Sequence, residues 1–240
     1  MRKRFILLAV LPLFFWLSSA IAQELPSIAK YLKPEETAIV FVDFQNNFAA
    51  LDGEHYARMK KFYDESKMLE NAVSLVKKAR AVGILVVQVT EAYTADYREL
   101  DWSNPATFHR SQILRQSWKM GTKPVELYEP LRPGPNDKDI LLPNRFMASG
   151  FGGNGLEAIL RGKGIKNVAI GGFTTDVCVY ATVLSAHDMG FHVYALKDLM
   201  APARGEISAM MLQELYPRWS RVVGHEEFLQ LLEGAKTAKK

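Results

Sequence analysis

A chain of 240 residues, 48% hydrophobic and 23% charged, is sized for one large globular domain with a substantial core. Its formal charge of +4 gathers at the start, where Arg2, Lys3 and Arg4 precede the first acid, Glu24; the rest of the chain is close to neutral. Such a balance leaves no electrostatic footprint for nucleic acid and excludes that class of partner.

The basic start runs into an apolar stretch, Phe5 to Leu17, and then a small-residue site, Ala20-Ile21-Ala22. Residues 1–22 therefore read as a secretion signal with Gln23 as the mature start. The stretch is shorter than the roughly 20 residues that span a bilayer comfortably. Export to the periplasm or beyond, with no membrane attachment after cleavage, is the expectation, and an uncleaved anchor is the alternative. Residues 23–35 form a lead-in, 36–232 one domain and 233–240 a tail. Cys178 is the single cysteine, so no intramolecular disulfide can form in an oxidising compartment. A lone thiol there is either inert in the core or kept for its chemistry.

The predicted elements alternate. Thr37 to Asp43 is a nearly continuous apolar run ending in a carboxylate, the pattern of a strand buried on both faces. Glu70 to Val82 has helical apolar spacing and stops at Gly83. Ile84 to Val89 is a second strand and Asp139 to Leu142 a shorter third. Between them, residues 92–138 break the alternation. This stretch carries Tyr93, Tyr97, Trp102, Phe108, Trp118 and Tyr128 among several prolines. It reads equally as a pocket-lining segment and as a surface insertion packing its own aromatics. Gly155 to Arg161 is a helix, Asn167 to Ile170 a strand opening into Gly171-Gly172, and Cys178 to Met189 a helix closed by Gly190. Phe191 to Leu196 is a strand before Asp198. Gly205 to Tyr216 and Glu226 to Leu232 are helices, with an edge strand at Arg221–Val223. The alternation predicts an α/β fold: a doubly wound, mostly parallel six-stranded sheet with helices on both faces.

In such sheets ligands bind beyond the carboxyl ends of the strands, where the winding reverses. Asp43, Cys178 and Asp198 all fall at such ends. A thiol at the start of a helix meets the positive end of the dipole and free N–H groups, which favour thiolate and would hold an oxyanion. A neighbouring Asp would serve as its base.

On these residues the chain resembles the isochorismatase-like cysteine hydrolases, a superfamily that includes nicotinamidases, N-carbamoylsarcosine amidases and biuret hydrolases. The matching blocks are Ala38-Ile-Val-Phe-Val-Asp-Phe-Gln-Asn-Asn-Phe48, Ile170-Gly-Gly-Phe-Thr-Thr-Asp-Val-Cys-Val179 and Phe191 to Asp198. The resemblance implies a catalytic Asp at Asp43 and a nucleophile at Cys178. It also implies an oxyanion hole at the N–H groups of Thr174 and Cys178, with a non-proline cis bond at Phe173–Thr174. The block Leu141 to Phe151 departs from the pattern, for Arg145 stands where the family has Lys and Asn154 where a Thr is usual. Arg keeps the positive charge but cannot release a proton. The aromatics Phe48, Trp102, Trp118, Phe151 and Phe173 are candidates for the substrate pocket.

The implied reaction is cleavage of a small amide, carbamoyl or ureide C–N bond through a thioester-type acyl-enzyme. Asp43 takes the thiol proton, then protonates the leaving amine and activates water. The partner is a small-molecule substrate, and the resemblance implies assembly into a homo-oligomer. No cofactor is implied. The metal-binding nicotinamidases carry closely spaced His ligands; His55, His109, His187, His192 and His225 show no such pair near the first strand, and Asp52 with His55 is too few. No metal is expected. His187 in a helix and His192 in a strand read as structural. Two other readings stand beside this one: a non-catalytic small-molecule binder on the same fold, and a vinyl-ether hydrolase of the isochorismatase type, whose members lack the Cys.

Overall fold

The computed structural model describes residues 32–237; the leader placed at 1–22 lies outside the described residues. Six strands form one parallel sheet in the order β3-β2-β1-β4-β5-β6. They are β1 (Thr37–Val42), β2 (Leu85–Glu91), β3 (Ile140–Arg145), β4 (Asn167–Phe173), β5 (His192–Ala201) and β6 (Arg221–Val223). The chain winds outward from β1 to β3, returns to the far side of β1 as β4, and winds outward again to β6. The reversal lies between β1 and β4, whose register pairs Thr37 with Asn167 and Val42 with Gly172.

Every residue of β1 and β4 is buried, which explains their unbroken apolar runs. At Gly172 the two strands meet so closely that an added Cβ would stand 1.9 Å from the Val42 carbonyl oxygen, at φ +138°. Only glycine fits there. β3 is an edge strand, half exposed along its length, and so tolerates Pro143.

The helices are α1 (Asn46–Ala49), α2 (Tyr56–Ser66), α3 (Met68–Ala81), α4 (Thr107–Arg115), α5 (Leu156–Gly162), α6 (Cys178–Asp188), α7 (Gly205–Met210) and α8 (His225–Thr237). Met59 and Tyr63 of α2, Met68 and Leu75 of α3 and Phe228 of α8 pack on one face of the sheet. Leu156 and Leu160 of α5 and Val179 and Val183 of α6 pack on the other. α8 runs past Leu232 into the segment read as a tail. The helix expected over Gly205–Tyr216 breaks after Met210 into a wide turn and a 3-10 turn.

Three helices, α1, α2 and α4, were not expected from the pattern. α1 is a single buried turn, too short to show a period; α4 buries only Ile113 and shows no apolar stripe; α2 has a narrow one, Tyr56, Met59 and Tyr63, that the sequence reading passed over. β2, β4 and β5 also run further than their apolar cores suggest, all at their carboxyl ends. Register shifts between Val89 and Glu91 and between Ile170 and Gly172 accompany the extensions. Among the described residues, no helix is long and apolar enough to cross a membrane.

Candidate active site

The extended strand ends bring four ionisable side chains together beside the winding reversal. Asp43 follows β1 in a left-handed conformation, φ 59°, which a non-glycine residue adopts at a cost and which is common at working sites. Its N–H donates to the Val89 carbonyl at 2.8 Å, fixing the side chain between β1 and β2. Arg145 ends β3 and, despite its charge, is 1% exposed. Its Nη2 lies 2.5 Å from both Asp43 oxygens, and Nη1 donates to the Ala148 carbonyl at 2.9 Å. Glu91 ends β2 opposite Arg145 in the register, with its carboxylate 4.0 Å from Nη2. The Tyr93 hydroxyl donates to Glu91 Oε1 at 2.6 Å. Cys178 opens α6, and one ligand atom each of Asp43, Glu91 and Cys178 lies within 4.8 Å of the other two.

Gln45 holds this arrangement rigid. Its amide donates to the Glu91 carbonyl at 2.7 Å and accepts from the Glu91 N–H at 2.9 Å, tying the turn after β1 to the end of β2. The same Nε2 donates to the Val125 carbonyl, so the turn at 123–125 is anchored with them.

The peptide Phe173–Thr174 is cis. No side chain caps α6, and the N–H groups of Thr174 and Cys178 donate to no acceptor among the described residues. Both remain available for an oxyanion beside the sulfur.

The electrostatics differ from the thiolate expected at the helix start. Burial, followed by the charge of Asp43, pushes the Cys178 thiol well above its ordinary range, and the pull of Arg145 does not overcome them. The physical reason is charge count: three acidic groups share one guanidinium in a deeply buried site, and only one negative charge is balanced. Burial also pushes Asp43 up, but Arg145 touches both of its oxygens, and that contact keeps Asp43 as the ionised member. Glu91 is pushed up to about 7 by burial and then by the charge of Asp43, against Arg145 and the Tyr93 hydroxyl. The resting site is a thiol, a carboxylate locked to arginine, and a second carboxyl poised near neutrality.

A cavity of about 200 Å³ opens at the sulfur. Phe48, Phe108 and Trp118 wall it, and Glu91, Thr174 and Cys178 face into it. On its solvent side stand Arg58 and Arg115, both exposed, beside His55. Burial, with those two arginines, lowers His55 to about 4, so it is neutral near pH 7. A larger hollow of about 460 Å³ lies at the amino ends of the strands, by Pro34, Leu85 and Asp139. That is the wrong end of a parallel sheet for chemistry.

Of the residues singled out in the sequence, Asp43, Arg145, Cys178 and Thr174 meet here, with Phe48 and Trp118 in the wall. Three aromatics do not line the cavity. Trp102 is 55% exposed, with its indole N–H on the Tyr97 carbonyl. Phe151 stacks on Phe191. Phe173 stands behind Phe48, stacked on it at 4.7 Å. Asp198 lies within β5, accepting from the His225 N–H and contacting its ring nitrogen, where it anchors the start of α8. The 92–138 segment does both things read from it: α4 and Trp118 line the cavity, while Tyr93 and Tyr97 pack inside the segment. Glu91, Gln45 and the α4 residues Gln112 and Arg115 belong to this cluster and its cavity without having been singled out in the sequence, whereas Phe108 was already noted in the aromatic segment.

Asp43, Glu91 and Cys178 are also the set that could hold a metal ion among the described residues. The guanidinium of Arg145 lies against both oxygens of Asp43 and acts as the cation of the cluster, so the donors do not fit an ion as they stand. Asp52 is drawn away by Lys123.

Comparison with known proteins adds lineage to this geometry. The family model described as "Isochorismatase domain" matches residues 37–227. Among curated proteins, the ureidoacrylate amidohydrolase RutB of Acinetobacter baylyi is 32% identical over 70% of this chain and 71% of its own length. The enzyme of the same name from Pseudomonas syringae pv. syringae is 30% identical over 80% and 81%. Among solved structures, a cysteine hydrolase from Pseudomonas syringae pv. phaseolicola 1448A superposes with a TM-score of 0.71 at 21% identity, covering 85% of this chain and 95% of that one.

Proposed function

This chain belongs to the isochorismatase family, and we propose that it is a cysteine hydrolase that opens small amide, carbamoyl or ureide C–N bonds. The single observation that carries the reading is the convergence of Asp43, Arg145 and Cys178 at one end of the sheet, next to a cavity and two unengaged N–H groups. The relatives named as ureidoacrylate amidohydrolases support hydrolysis of such a bond.

In this reading Asp43 accepts the Cys178 proton as sulfur attacks the substrate carbonyl. The raised thiol pKa means proton transfer and attack occur together, with no standing thiolate. The N–H groups of Thr174 and Cys178 hold the oxyanion, whose collapse breaks the C–N bond and leaves a thioester. Water then releases the acyl group. Arg145 stabilises the ionised carboxylate and transfers no proton.

The test is a screen for ammonia release from formamide, ureidoacrylate and N-carbamoylglycine, with Cys178→Ala as control. Turnover in the wild type and none in the variant is the expected outcome. Turnover surviving in Cys178→Ala removes the thiol as nucleophile, and a wild type inert to every small amide and ureide favours the binding-protein reading. Export belongs to the same proposal: the mature protein is expected to begin at Gln23 by N-terminal sequencing, and a chain still carrying Phe5 to Leu17 would point to an anchor.

A further inference from the structure

We propose that Glu91 is a second catalytic carboxyl, the acid that protonates the leaving nitrogen and the base that then activates water. This rests on the cysteine-hydrolase reading and divides the proton traffic between two residues, where the family resemblance assigns it all to Asp43.

Three observations carry the division. Glu91 lines the cavity, whereas Asp43 is fully buried and is no part of its wall. Both Asp43 oxygens contact Arg145 and its carboxylate is also hydrogen-bonded to the Cys178 thiol, whereas Glu91 has one oxygen on Tyr93 and the other 4.0 Å from Arg145. Finally, the backbone of Glu91 is clamped on both sides by Gln45, and a surface-type side chain is thereby fixed in a buried site. A charged residue is held so only where something offsets its burial, and arginine already has its partner.

The protons balance over one cycle. In acylation the Cys178 proton passes to Asp43, the S–C bond forms, Glu91 gives its proton to nitrogen and the C–N bond breaks. In deacylation a water proton passes to Glu91, hydroxide adds to the thioester, the C–S bond breaks and Asp43 returns its proton to sulfur. Both carboxyls end as they began. Two carboxyls with opposed resting states performing acid and base work is a recurrent solution. The groups facing Glu91 are Asp43 from β1, Arg145 from β3, Cys178 from α6 and Tyr93 beyond β2, with His55, Arg58 and Arg115 across the cavity. Its tendency to lose its proton at about 7 makes the acid limb fade as pH rises through that value.

Glu91→Gln tests this, because the amide keeps the shape and still accepts from Tyr93 but has no proton to transfer. Two rates are read: ammonia release from whichever of formamide, ureidoacrylate and N-carbamoylglycine the wild type hydrolyses, and alkylation of Cys178 by iodoacetamide, in which iodide leaves without a proton. Hydrolysis is expected to fall about 100-fold or more, with the alkaline decline of kcat abolished, while alkylation stays at the wild-type rate or above. Parallel losses in both rates would reduce Glu91 to a prop for the thiol and overturn the proposal. Hydrolysis within about threefold of wild type would overturn it too, since an acid-base group is worth far more. A wild type that alkylates but hydrolyses nothing overturns the parent reading and this one with it; active wild type with active Glu91→Gln overturns this one alone.

Discussion

Asp43→Asn is expected to move two rates in opposite directions: amide hydrolysis falls at least about 100-fold, and alkylation of Cys178 by iodoacetamide near neutral pH becomes faster. The carboxylate plays two parts that the substitution separates. As a base it accepts the thiol proton during attack, and an amide cannot. As a fixed negative charge beside the sulfur it is, after burial, the largest influence raising the thiol pKa, with Arg145 pulling the other way. Removing that charge frees the guanidinium to act on sulfur, so the thiolate fraction rises tenfold for each unit of pKa recovered. In the wild type the alkylation rate climbs with pH from a low neutral value; in the variant the climb begins at lower pH. A fall in both rates together would mean that Asp43 stabilises the thiolate or merely holds the fold, and would contradict the charge count of one cation among three acids. Circular dichroism guards against trivial unfolding, since arginine is left buried beside a neutral amide.

How much of this site the sequence revealed follows from what each residue depends on. Asp43, Cys178 and Arg145 stand at the ends or starts of elements whose patterns are local: an unbroken apolar strand, a glycine turn, a block preceding a helix. Gly172 is dictated by the approach of Val42 and appears in the sequence as part of the Gly171-Gly172 pair. Glu91 has no such mark. It lies two residues beyond the apolar core of its strand, in Thr90-Glu91, and its burial is decided by Gln45 and Arg145, each about fifty residues away in sequence. The available signal was position: it ends a buried parallel strand, the same reasoning that singled out Asp43. Aromatic type was a poor guide to the pocket because facing matters more than identity. Phe173 is in the right strand but turned into the core against Phe44 and Phe48. Phe108 and Arg115 reach the cavity from α4, a helix with one buried residue and therefore no stripe to read. The protonation state of Cys178 was illegible for a further reason. A helix start and an arginine favour thiolate, but the outcome turns on deep burial and on two carboxyls that come from other strands.

Arg145 is the last of these groups to be tested, and its two substitutions are expected to diverge. In Arg145→Ala the Asp43 carboxylate is left buried with no cation, a change that typically costs about 3–5 kcal/mol. The carboxyl escapes part of that cost by holding a proton, and a protonated Asp43 is no base, so hydrolysis falls by about 100-fold or more. The sign of the stability change with pH follows. In the variant the folded state holds the Asp43 proton more tightly than the unfolded chain does, so its deficit relative to wild type is greatest above the raised folded pKa. That deficit shrinks as pH falls through it towards the ordinary value near 3.8. Urea denaturation of both proteins at about pH 5 and about pH 8 reads this directly, and a deficit that is constant with pH would mean that Asp43 is not the group left unpaired. Arg145→Lys keeps a positive charge within reach of Asp43 but gives up the fork that also holds the Ala148 carbonyl. It is expected to retain a measurable fraction of activity and most of the stability. Equal loss in the two variants would show that the guanidinium serves by its shape alone, whereas a graded loss, alanine far below lysine, is what a charge that holds the base ionised requires.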